Sequence, residues 1–419
     1  MAKIVILFCF LLVFTTNCGK SSSQVARPQV ESELADAPSG REETPKPAPA
    51  TAPLPAAHTL ELYLPLLRNK RLALLVNQTS TIGSVHLVDS LQALGLDLKK
   101  IFAPEHGFRG DADAGASIAN GVDTRSGLPI KSLYGKNKKP SAADLADIDA
   151  IVFDIQDVGA RFYTYISTLY YVMEAAALHG KEVIILDRPN PNGHLIDGPL
   201  LDPAFKSFVG IAPIPVSHGL TVGEFAQMVN GEGWLADGIK APLQVVAMPG
   251  YKHSDSYVLP TPPSPNLPNQ RSIYLYPSLC FFEGTAVSVG RGTNRQFQLF
   301  GHPKLGFGDI RFTPTSGPGS KYPKLEGQVC RGVDLSRLPT EDFRQDTLNL
   351  EYLILAYQDL HAQGVDFFTD PDFFDKLAGT DQLRKAIIAG KSAADIHAGW
   401  ERDLAMYRAL REQYRRYPD

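Results

Sequence analysis

The sequence predicts an α/β fold: a doubly wound and mainly parallel sheet, followed by a smaller α+β C-terminal domain. Strand and helix patterns alternate from Leu72 to Met248, which favours a parallel sheet. The strand cores are near-continuous Val, Ile, Leu and Phe, as in strands that are covered on both faces. Four successive strands are also followed directly by polar residues, and open α/β sheets bind ligands at the carboxyl ends of their strands.

Apolar runs and their periodicity define the elements of this sheet. Five runs are predicted as strands: Leu72–Val76, Leu98–Phe102, Ala150–Phe153, Glu182–Leu186 and Leu243–Met248. Three stretches are predicted as helices: Ser84–Leu94, Thr164–Leu178 and Thr221–Gly231. Thr221 and Glu224, three residues apart, form the pattern of a capping box.

A proline-rich stretch, Leu259–Pro268, precedes the second unit, and we interpret it as an ordered, semi-rigid connection. The second unit has a β-like run at Ala286–Val289. Its helical patterns cover Leu348–Ala362, Leu383–Ile388 and an amphipathic stretch from Ala394 to Arg415.

The N-terminus has the pattern of a targeting segment. Lys3 precedes an apolar run, Ile4–Phe14, that is too short to span a bilayer, and Cys18 follows shortly after it. This resembles a bacterial lipoprotein signal in which Cys18 becomes the lipidated first residue; the alternative is an ordinary secretory signal cleaved nearby. We therefore expect export to the cell envelope, the periplasm, with a lipid anchor to a membrane.

The chain is accordingly divided into four segments. Residues 1–17 are predicted as a signal peptide, and 18–57, rich in Ser, Pro, Ala and Glu, as a disordered tether. Residues 58–272 are predicted as the domain that contains the parallel sheet and 273–419 as the C-terminal domain.

Composition and missing motifs exclude several classes of function. A net charge of −4 and a pI near 6.2 give no reason to expect nucleic acid. Cys280 and Cys330 are predicted to be buried free thiols, and the chain has no CxxC pair. It has no P-loop, HExxH or GxSxG motif, and no GxGxxG after a strand. We predict no cofactor and no metal, and the oligomeric state is left open.

The stretch Ala103–Gly115 has the highest density of candidate catalytic residues. It follows the second strand and contains Glu105, His106 and Arg109 among three glycines. Such loops are where α/β proteins place their chemistry. Glu105 could be a general acid or base, with its pKa set by burial and by Arg109; the alternative is a carboxylate that caps a backbone turn.

The loop after the third strand carries further candidates. Asp154 and Gln156 follow a buried strand without a local partner, which is costly unless they are paired or used. Asp157 and Arg161 could be functional or could simply form an ion pair that opens the helix. Tyr163 could stack on a sugar ring or pack in the core.

Two glycine- and asparagine-containing loops complete the set. The loop around Asn190 either binds hydroxyl or amide groups or forms turns alone. Glu283 precedes a glycine-flanked Arg291, whose guanidinium suits a carboxylate; the alternative is a solvated basic turn.

Long ordered motifs resemble the bacterial exo-β-N-acetylmuramidase (NamZ-type) family and extend over nearly the whole folded part of the chain. They are PEHGFRG (104–110), FDIQDVGARFYTY (153–165), LDRPNPNG (186–193), PVSHGLTVGEFA (215–226), LPTPPSPNLP (259–268), YPSLCFFEGTAVSVGRGTNRQFQLFG (276–301) and FDKLAGT (374–380).

The resemblance implies that residues 58–272 form a Rossmann-like catalytic domain and that residues 273–419 form a C-terminal domain that completes the active-site cleft, with the site between the two. It implies hydrolysis of terminal β-1,4-linked N-acetylmuramic acid from the non-reducing end of peptidoglycan glycans, with Glu105 as the main catalytic carboxylate. Glycoside cleavage needs an acid that protonates the leaving oxygen, a role that suits Glu105. The lactyl carboxylate of muramic acid predicts an arginine in the pocket, for which Arg109, Arg161 and Arg291 are the candidates.

Two residue sets summarise the predicted site. The catalytic set is Glu105, His106, Asp154, Asp157 and Glu283. The substrate-binding set is Asn77, Arg109, Gln156, Arg161, Tyr163, Asn190, His218, Asn266, Arg291, Thr293 and Asn294. Two alternatives stay open: a glycosidase that prefers another sugar, and a lipid-anchored protein that binds cell-wall fragments without hydrolysis.

Overall fold

A seven-stranded, mainly parallel sheet lies at the centre of the fold. The computed structural model describes residues 53–108 and 120–419, which belong to one compact unit. The strands are β1 (Leu72–Val76), β2 (Thr81–Ile82), β3 (Val85–His86), β4 (Leu98–Ala103), β5 (Gly121–Val122), β6 (Pro129–Ser132), β7 (Ala150–Asp154), β8 (Glu182–Leu186), β9 (Ile196–Asp197), β10 (Ser217–His218), β11 (Leu243–Val246), β12 (Leu299–His302), β13 (Ile310–Phe312) and β14 (Cys330–Asp334). The central sheet has the order β11-β8-β7-β1-β4-β6-β5, and only the pair β5 and β6 is antiparallel.

Helices cover both faces of this sheet and form most of the C-terminal part. The α-helices are α1 (Leu60–Leu67), α2 (Leu87–Ala93), α3 (Ala142–Leu145), α4 (Tyr165–Leu178), α5 (Val222–Gly231), α6 (Gln270–Leu279), α7 (Glu351–Ala362), α8 (Pro371–Ala378), α9 (Gln382–Ile388), α10 (Ala393–Ala398) and α11 (Glu401–Glu412). Short 3₁₀ turns cover Ala56–His58, Pro203–Phe205, Ala236–Gly238, Cys280–Gly284 and Thr340–Phe343. Among the described residues, no helix is both long enough and apolar enough to cross a membrane.

The side chains of β1 alternate between two separate cores. Leu72, Leu74 and Val76 pack with residues of α1 and α2 on one face of the sheet. Ala73 and Leu75 belong to the core on the other face, which includes α4 and α5 and continues into the C-terminal helices. Because successive strand residues point to opposite faces, this alternation means that both faces of the sheet are buried. The predicted fold class is thus confirmed.

The order of the strands places a topological switch point beside β1. From β1 the chain adds β4 and β6 on one side, then returns to add β7, β8 and β11 on the other. Val76 at the end of β1 pairs in register with Asp154 at the end of β7. The carboxyl ends of the parallel strands therefore meet at one edge, where such sheets bind ligands.

Most of the predicted elements of the N-terminal part agree with the structure. The capping box at α5 is present, since the Thr221 side chain accepts from Glu224 N and the Glu224 side chain accepts from Thr221 N. The helix predicted from Ser84 begins instead at Leu87, because Val85–His86 pairs with Thr81–Ile82 as a small hairpin.

The C-terminal part contains a three-stranded antiparallel sheet in the order β12-β14-β13 and the helices α7 to α11. The strand predicted at Ala286–Val289 is wrong, because only Ser288 in that run pairs, with Gly301. The predicted helix Ala394–Arg415 is two helices, α10 and α11. The break falls at Gly399, a poor helix former, where Trp400 N donates to the carbonyl three residues back.

The final residues of the chain close back onto the central sheet. The hydroxyl of Tyr417 donates to the Asp187 carboxylate at 2.7 Å and accepts from Met248 N at 3.2 Å. The backbone N–H of Arg416 donates to Glu224 at 2.8 Å. The C-terminal tail therefore supplies partners to buried groups at the edge formed by β8 and β11.

Candidate active site

A cavity of about 660 Å³ lies between the carboxyl edge of the sheet and the C-terminal part of the chain. This volume is within the range of small-molecule sites. Its polar and charged lining residues are Glu105, His106, Tyr134, Tyr163, Thr164, Tyr165, Ser264, Asn266, Tyr276, Glu283, Arg291, Ser320, Lys321 and Tyr322.

Glu105 enters the cavity from the loop that follows β4. Its Oε1 accepts a hydrogen bond from the Tyr134 hydroxyl at 2.8 Å, and its Oε2 accepts one from Thr164 Oγ1 at 2.6 Å. The next residue, His106, has φ +66°, which is uncommon for a residue other than glycine. Gly107 follows with φ +79° and donates its N–H to the Pro104 carbonyl at 3.0 Å. A tight turn and two hydroxyl groups therefore hold both oxygens of the carboxyl group in place.

Buried tyrosines form the inner end of the cavity. The hydroxyls of Tyr163 and Tyr165 donate to the same carbonyl, that of Pro263, at 2.8 and 3.2 Å. Tyr276 packs edge-to-face on Tyr163, with 5.9 Å between ring centroids. These bonds hold the proline-rich connection against the start of α4, so the connection is ordered in the structure, as the sequence predicts.

Glu283 and Arg291 form an ion pair on the C-terminal wall. Arg291 Nε lies 2.8 Å from Glu283 Oε1, and both side chains are about one-fifth exposed (23% and 21%). Burial opposes the charge of Glu283, but Arg291 and Lys324 outweigh it and hold the pKa of this carboxyl below its usual range. Lys324 Nζ in turn donates to the carbonyls of Phe282 and Glu283 at 2.9 and 3.2 Å.

The terminal nitrogens of Arg291 have no hydrogen-bond acceptor among the described residues. The guanidinium carbon lies 5.1 Å from the ring centroid of Phe297, which supports its flat face. An arginine that is anchored through Nε leaves its two terminal N–H₂ groups for an incoming anion. This wall of the cavity is therefore suited to bind a carboxylate.

Asn266 joins two tight turns at the cavity wall. It lies in the turn Ser264–Leu267, and its Nδ2 donates to the carbonyl of Gly319 at 2.7 Å. Gly319 lies in a second turn, Gly317–Ser320, and has φ +79°. A Cβ at Gly319 would lie 2.7 Å from Pro265 Cβ, so the close approach of the two turns requires glycine there.

Asp154 and Asp187, two of the polar strand ends, are buried and do not line the cavity. Arg188 donates to both carboxylate oxygens of Asp154, at 2.6 and 2.9 Å. Asp187 accepts from the hydroxyls of Thr221 and Tyr417, each at 2.7 Å. Burial raises the pKa of Asp187 to about 6, although these hydroxyl groups favour its charged form. Both carboxylates connect loops to the sheet edge.

Asn77, Gln156 and Asn190 are buried at the same edge and hydrogen-bond to the backbone. Asn77 Oδ1 accepts from the amide two residues ahead at 2.9 Å. Gln156 Nε2 donates to a carbonyl of the loop after β8 at 2.7 Å, and Asn190 Nδ2 donates to the carbonyl before Thr221 at 2.9 Å. None of the three is a lining residue of the cavity.

Asp157 and His218 are neighbours in the buried layer outside the cavity wall, with 3.9 Å between Oδ2 and Nε2. Asp157 Oδ2 accepts from Gly159 N at 2.7 Å, and Oδ1 has no partner among the described residues. Burial raises the pKa of Asp157 to about 7 and lowers that of His218 to about 3. The imidazole is therefore neutral at physiological pH.

Arg161 is fully buried and does not line the cavity. Its guanidinium donates to four carbonyls, those of Pro199 and Ile214 at 2.8 and 2.7 Å and those of Leu377 and Ala378 at 3.1 and 2.7 Å. The predicted ion pair with Asp157 is absent from this part of the chain. Arg161 therefore connects the N-terminal part to α8.

Of the remaining predicted residues, two do not line the cavity and two lie outside the part of the chain that the structure describes. Thr293 Oγ1 donates to the Gly290 carbonyl at 2.7 Å, and Asn294 is exposed. Arg109 and Cys18 lie outside the described residues.

Comparison with known proteins identifies the family. The family model described as "Exo-beta-N-acetylmuramidase NamZ, N-terminal" matches residues 72–271. The model of the C-terminal domain of the same family matches residues 274–417. The chain belongs to the NamZ exo-β-N-acetylmuramidase family. It is 38% identical over 378 residues to the peptidoglycan β-N-acetylmuramidase NamZ of Bacillus subtilis (strain 168), covering 84% of this chain and 88% of that protein.

Two crystal structures of DUF1343 family proteins from Bacteroides fragilis NCTC 9343 have the same fold. One is 46% identical, with a TM-score of 0.81, and the match covers 88% of this chain and all of the other. The second is 31% identical, with a TM-score of 0.75, over 87% of this chain and 98% of the other.

Several lining residues of this NamZ-family cavity were not predicted from the sequence. Tyr134 and Thr164, which both donate to Glu105, lie 29 and 59 positions from it along the chain. Phe208 and Tyr322 lie in or beside tight turns without a charged motif. Among these residues, only Thr164 had a feature in the sequence that could have indicated the site: it lies at the start of a helix that follows a polar strand end.

Proposed function

We propose that the protein is an exo-acting glycoside hydrolase that releases terminal β-1,4-linked N-acetylmuramic acid from the non-reducing end of peptidoglycan fragments, in cell-wall turnover or recycling. The observation that carries the proposal is Glu105, held by two hydroxyl groups at the wall of a cavity in a member of the NamZ family. The similarity to the Bacillus subtilis peptidoglycan β-N-acetylmuramidase supports the substrate class.

Glu105 protonates the glycosidic oxygen as the bond to the anomeric carbon breaks, so that the leaving glycan departs as a neutral alcohol. A water molecule supplies the hydroxyl group that completes the released sugar, and the proton that this water loses returns Glu105 to its protonated form by the end of the cycle. Of the predicted carboxylates for the second role, only Glu283 lines the cavity. Its ion pair with Arg291 keeps it charged, as required of a group that activates water or stabilises an oxocarbenium-like centre.

Arg291 binds the lactyl carboxylate that distinguishes muramic acid from glucosamine. Its terminal nitrogens have no protein acceptor among the described residues, and it lines the cavity. Arg161, another predicted candidate, uses its guanidinium on backbone carbonyls outside the cavity. A guanidinium held through Nε is pre-organised for a bidentate carboxylate.

The test is release of free sugar from a short glycan that ends in N-acetylmuramic acid, with wild type compared with Glu105→Gln. The substitution keeps the shape of the side chain and removes the transferable proton. We expect loss of turnover with retained binding. Glu351→Gln, an exposed position in α7, is the matched control and should cleave at the wild-type rate. If Glu105→Gln cleaves the glycan at the wild-type rate, another residue is the acid. If the wild-type protein binds the glycan without cleaving it, the result favours a binding protein.

We further propose that the protein is exported and anchored to a membrane of the cell envelope through a lipid on Cys18. The support is the sequence pattern of residues 1–18 and a substrate that occurs in the cell envelope. Mass spectrometry of the mature N-terminus tests this, with Cys18→Ala as the comparison. A mature chain that begins elsewhere, without lipid, contradicts the anchor and leaves the hydrolase proposal intact.

A further inference from the structure

Tyr322 is the only aromatic side chain that is mostly solvent-exposed within residues 53–108 and 120–419 (81% exposed). Folded proteins bury most of the large apolar area of aromatic rings, so a tyrosine this exposed is unusual. It also lines the cavity that contains Glu105. An exposed ring at the opening of a binding site is more informative than an exposed ring elsewhere on the surface.

The backbone on both sides of Tyr322 is anchored. The preceding turn, Gly317–Ser320, is closed by two backbone hydrogen bonds of 3.1 and 3.0 Å and is tied to Asn266 through the Gly319 carbonyl. After Tyr322, the ring of Pro323 approaches Gly292 so closely that a Cβ there would lie 2.7 Å from it. The segment that carries Tyr322 is therefore held against the cavity wall at two points.

The ring itself has few protein contacts. Lys321 Nζ lies 5.5 Å from the ring centroid, at the outer limit of a cation–π contact. No hydrogen bond and no ring–ring contact to another described residue involves Tyr322. The ring is available to a ligand.

The burial of the lining residues gives the cavity a direction. Tyr163 and Tyr276 at one end are less than one-tenth exposed, whereas Phe208 is half-buried and Lys321 and Tyr322 are exposed. An enzyme that removes a terminal sugar holds that sugar in the closed end of its cavity. The rest of the glycan must then leave through the open end, past Tyr322.

We propose that Tyr322 is the stacking platform for the sugar on the leaving-group side of the scissile bond. The apolar C–H face of a pyranose packs on an aromatic ring, and the neighbouring Lys321 can hydrogen-bond to its hydroxyl groups. The inference rests on the proposed function, because it takes the terminal sugar to occupy the inner end.

The test measures kcat/KM of the wild type, Tyr322→Ala and Tyr322→Trp on two substrates. The first is a disaccharide of N-acetylmuramic acid linked β-1,4 to N-acetylglucosamine; the second is N-acetylmuramyl fluoride, whose leaving group contains no sugar. For Tyr322→Ala we expect kcat/KM on the disaccharide to fall about tenfold while kcat/KM on the fluoride is unchanged. Tyr322→Trp should retain cleavage of the disaccharide, because its ring also stacks.

Val329→Ala is the control, since Val329 is also exposed (56%) and does not line the cavity. Equal losses on both substrates would overturn the inference by placing Tyr322 in the terminal-sugar site, and an unchanged disaccharide rate would overturn it too. If the wild type cleaves neither substrate, the proposed function itself fails. Wild-type cleavage with no effect of Tyr322→Ala refutes the platform alone.

Discussion

Arg291→Ala is expected to abolish most of the preference, measured as kcat/KM, for substrates with the charged lactyl carboxylate of muramic acid over substrates without that charge. The guanidinium is anchored to Glu283 at 2.8 Å through Nε and presents its remaining N–H groups to the cavity. Removing it takes away the partner of the lactyl carboxylate and the ion-pair partner of Glu283, whose pKa Lys324 still lowers. The first effect depends on the charge of the substrate, and the second does not.

The size of the effect follows from the environment of the pair. A hydrogen bond to a charged group contributes about 1.5–3 kcal/mol, which corresponds to a loss of about 10- to 150-fold. Because Arg291 is 23% exposed, partial screening by solvent places the expected loss toward the lower end of that range.

The assay measures kcat/KM for a chromogenic N-acetylmuraminide and for its lactyl amide, which lacks the negative charge. Loss of the Glu283 ion pair affects both substrates alike, so the ratio of the two values isolates the contact to the carboxylate. Arg291→Lys, which keeps the charge and loses the planar fork, should give an intermediate ratio.

One result refutes this reasoning. If Arg291→Ala lowers kcat/KM by the same factor for the acid and for the amide, Arg291 does not recognise the lactyl group. The carboxylate site would then have to be supplied by another cation, and Arg291 would act through Glu283 alone.

Three other substitutions test separate parts of the structure. Tyr134→Phe removes a donor to Glu105 and should lower kcat about tenfold with an unchanged melting temperature. Arg161→Met removes a donor from four buried carbonyls, of which that of Ile214 keeps a second donor, Leu201 N at 3.2 Å. The substitution should reduce the free energy of unfolding by about 3–5 kcal/mol, measured by urea denaturation. Asp157→Asn should flatten the pH dependence of stability. Because burial raises the pKa of Asp157 to about 7, the folded wild type binds a proton that the unfolded chain has lost, so its stability falls as the pH rises from about 4 to 7.

Each of these has a clear opposite outcome. A large fall in melting temperature for Tyr134→Phe would make its role structural. Wild-type stability of the Arg161 variant would mean that water satisfies the carbonyls. Urea midpoints at pH 5 and pH 8 that differ as much for Asp157→Asn as for the wild type would show that another group causes the pH dependence.

The sequence predicted five of the seven strands of the central sheet, because those five are apolar runs whose signal is local. Strands β5 and β6 were not predicted, since they are only two and four residues long and are not continuous apolar runs. The sequence also predicted that polar strand ends meet at one edge, and Asn77, Glu105, Asp154 and Asp187 do follow parallel strands there. What the polar ends do depends on distant partners. Asp154 is paired with a residue 34 positions away and Asp187 with one 230 positions away, and only Glu105 lines the cavity.

The C-terminal part was harder to predict for a physical reason. Strands β12 to β14 are three to five residues long and pair across up to 35 residues of chain, so their periodicity is too short to stand out. Arg161 illustrates the same limit at the level of a side chain. Its spacing from Asp157 fits a helical ion pair, but its partners are carbonyls from four separate positions.

The hydrogen bond between Tyr417 and Asp187 has a consequence for the order in which the protein can fold. Strand β8 ends at Leu186, and the carboxylate of the next residue, Asp187, accepts a hydrogen bond from Tyr417, which lies 230 positions later in the chain. The hydrogen bonds at the carboxyl ends of β8 and β11 are therefore not complete until Tyr417 has been synthesised. Contacts between residues so far apart in the chain slow folding, so we expect this part of the sheet edge to form late.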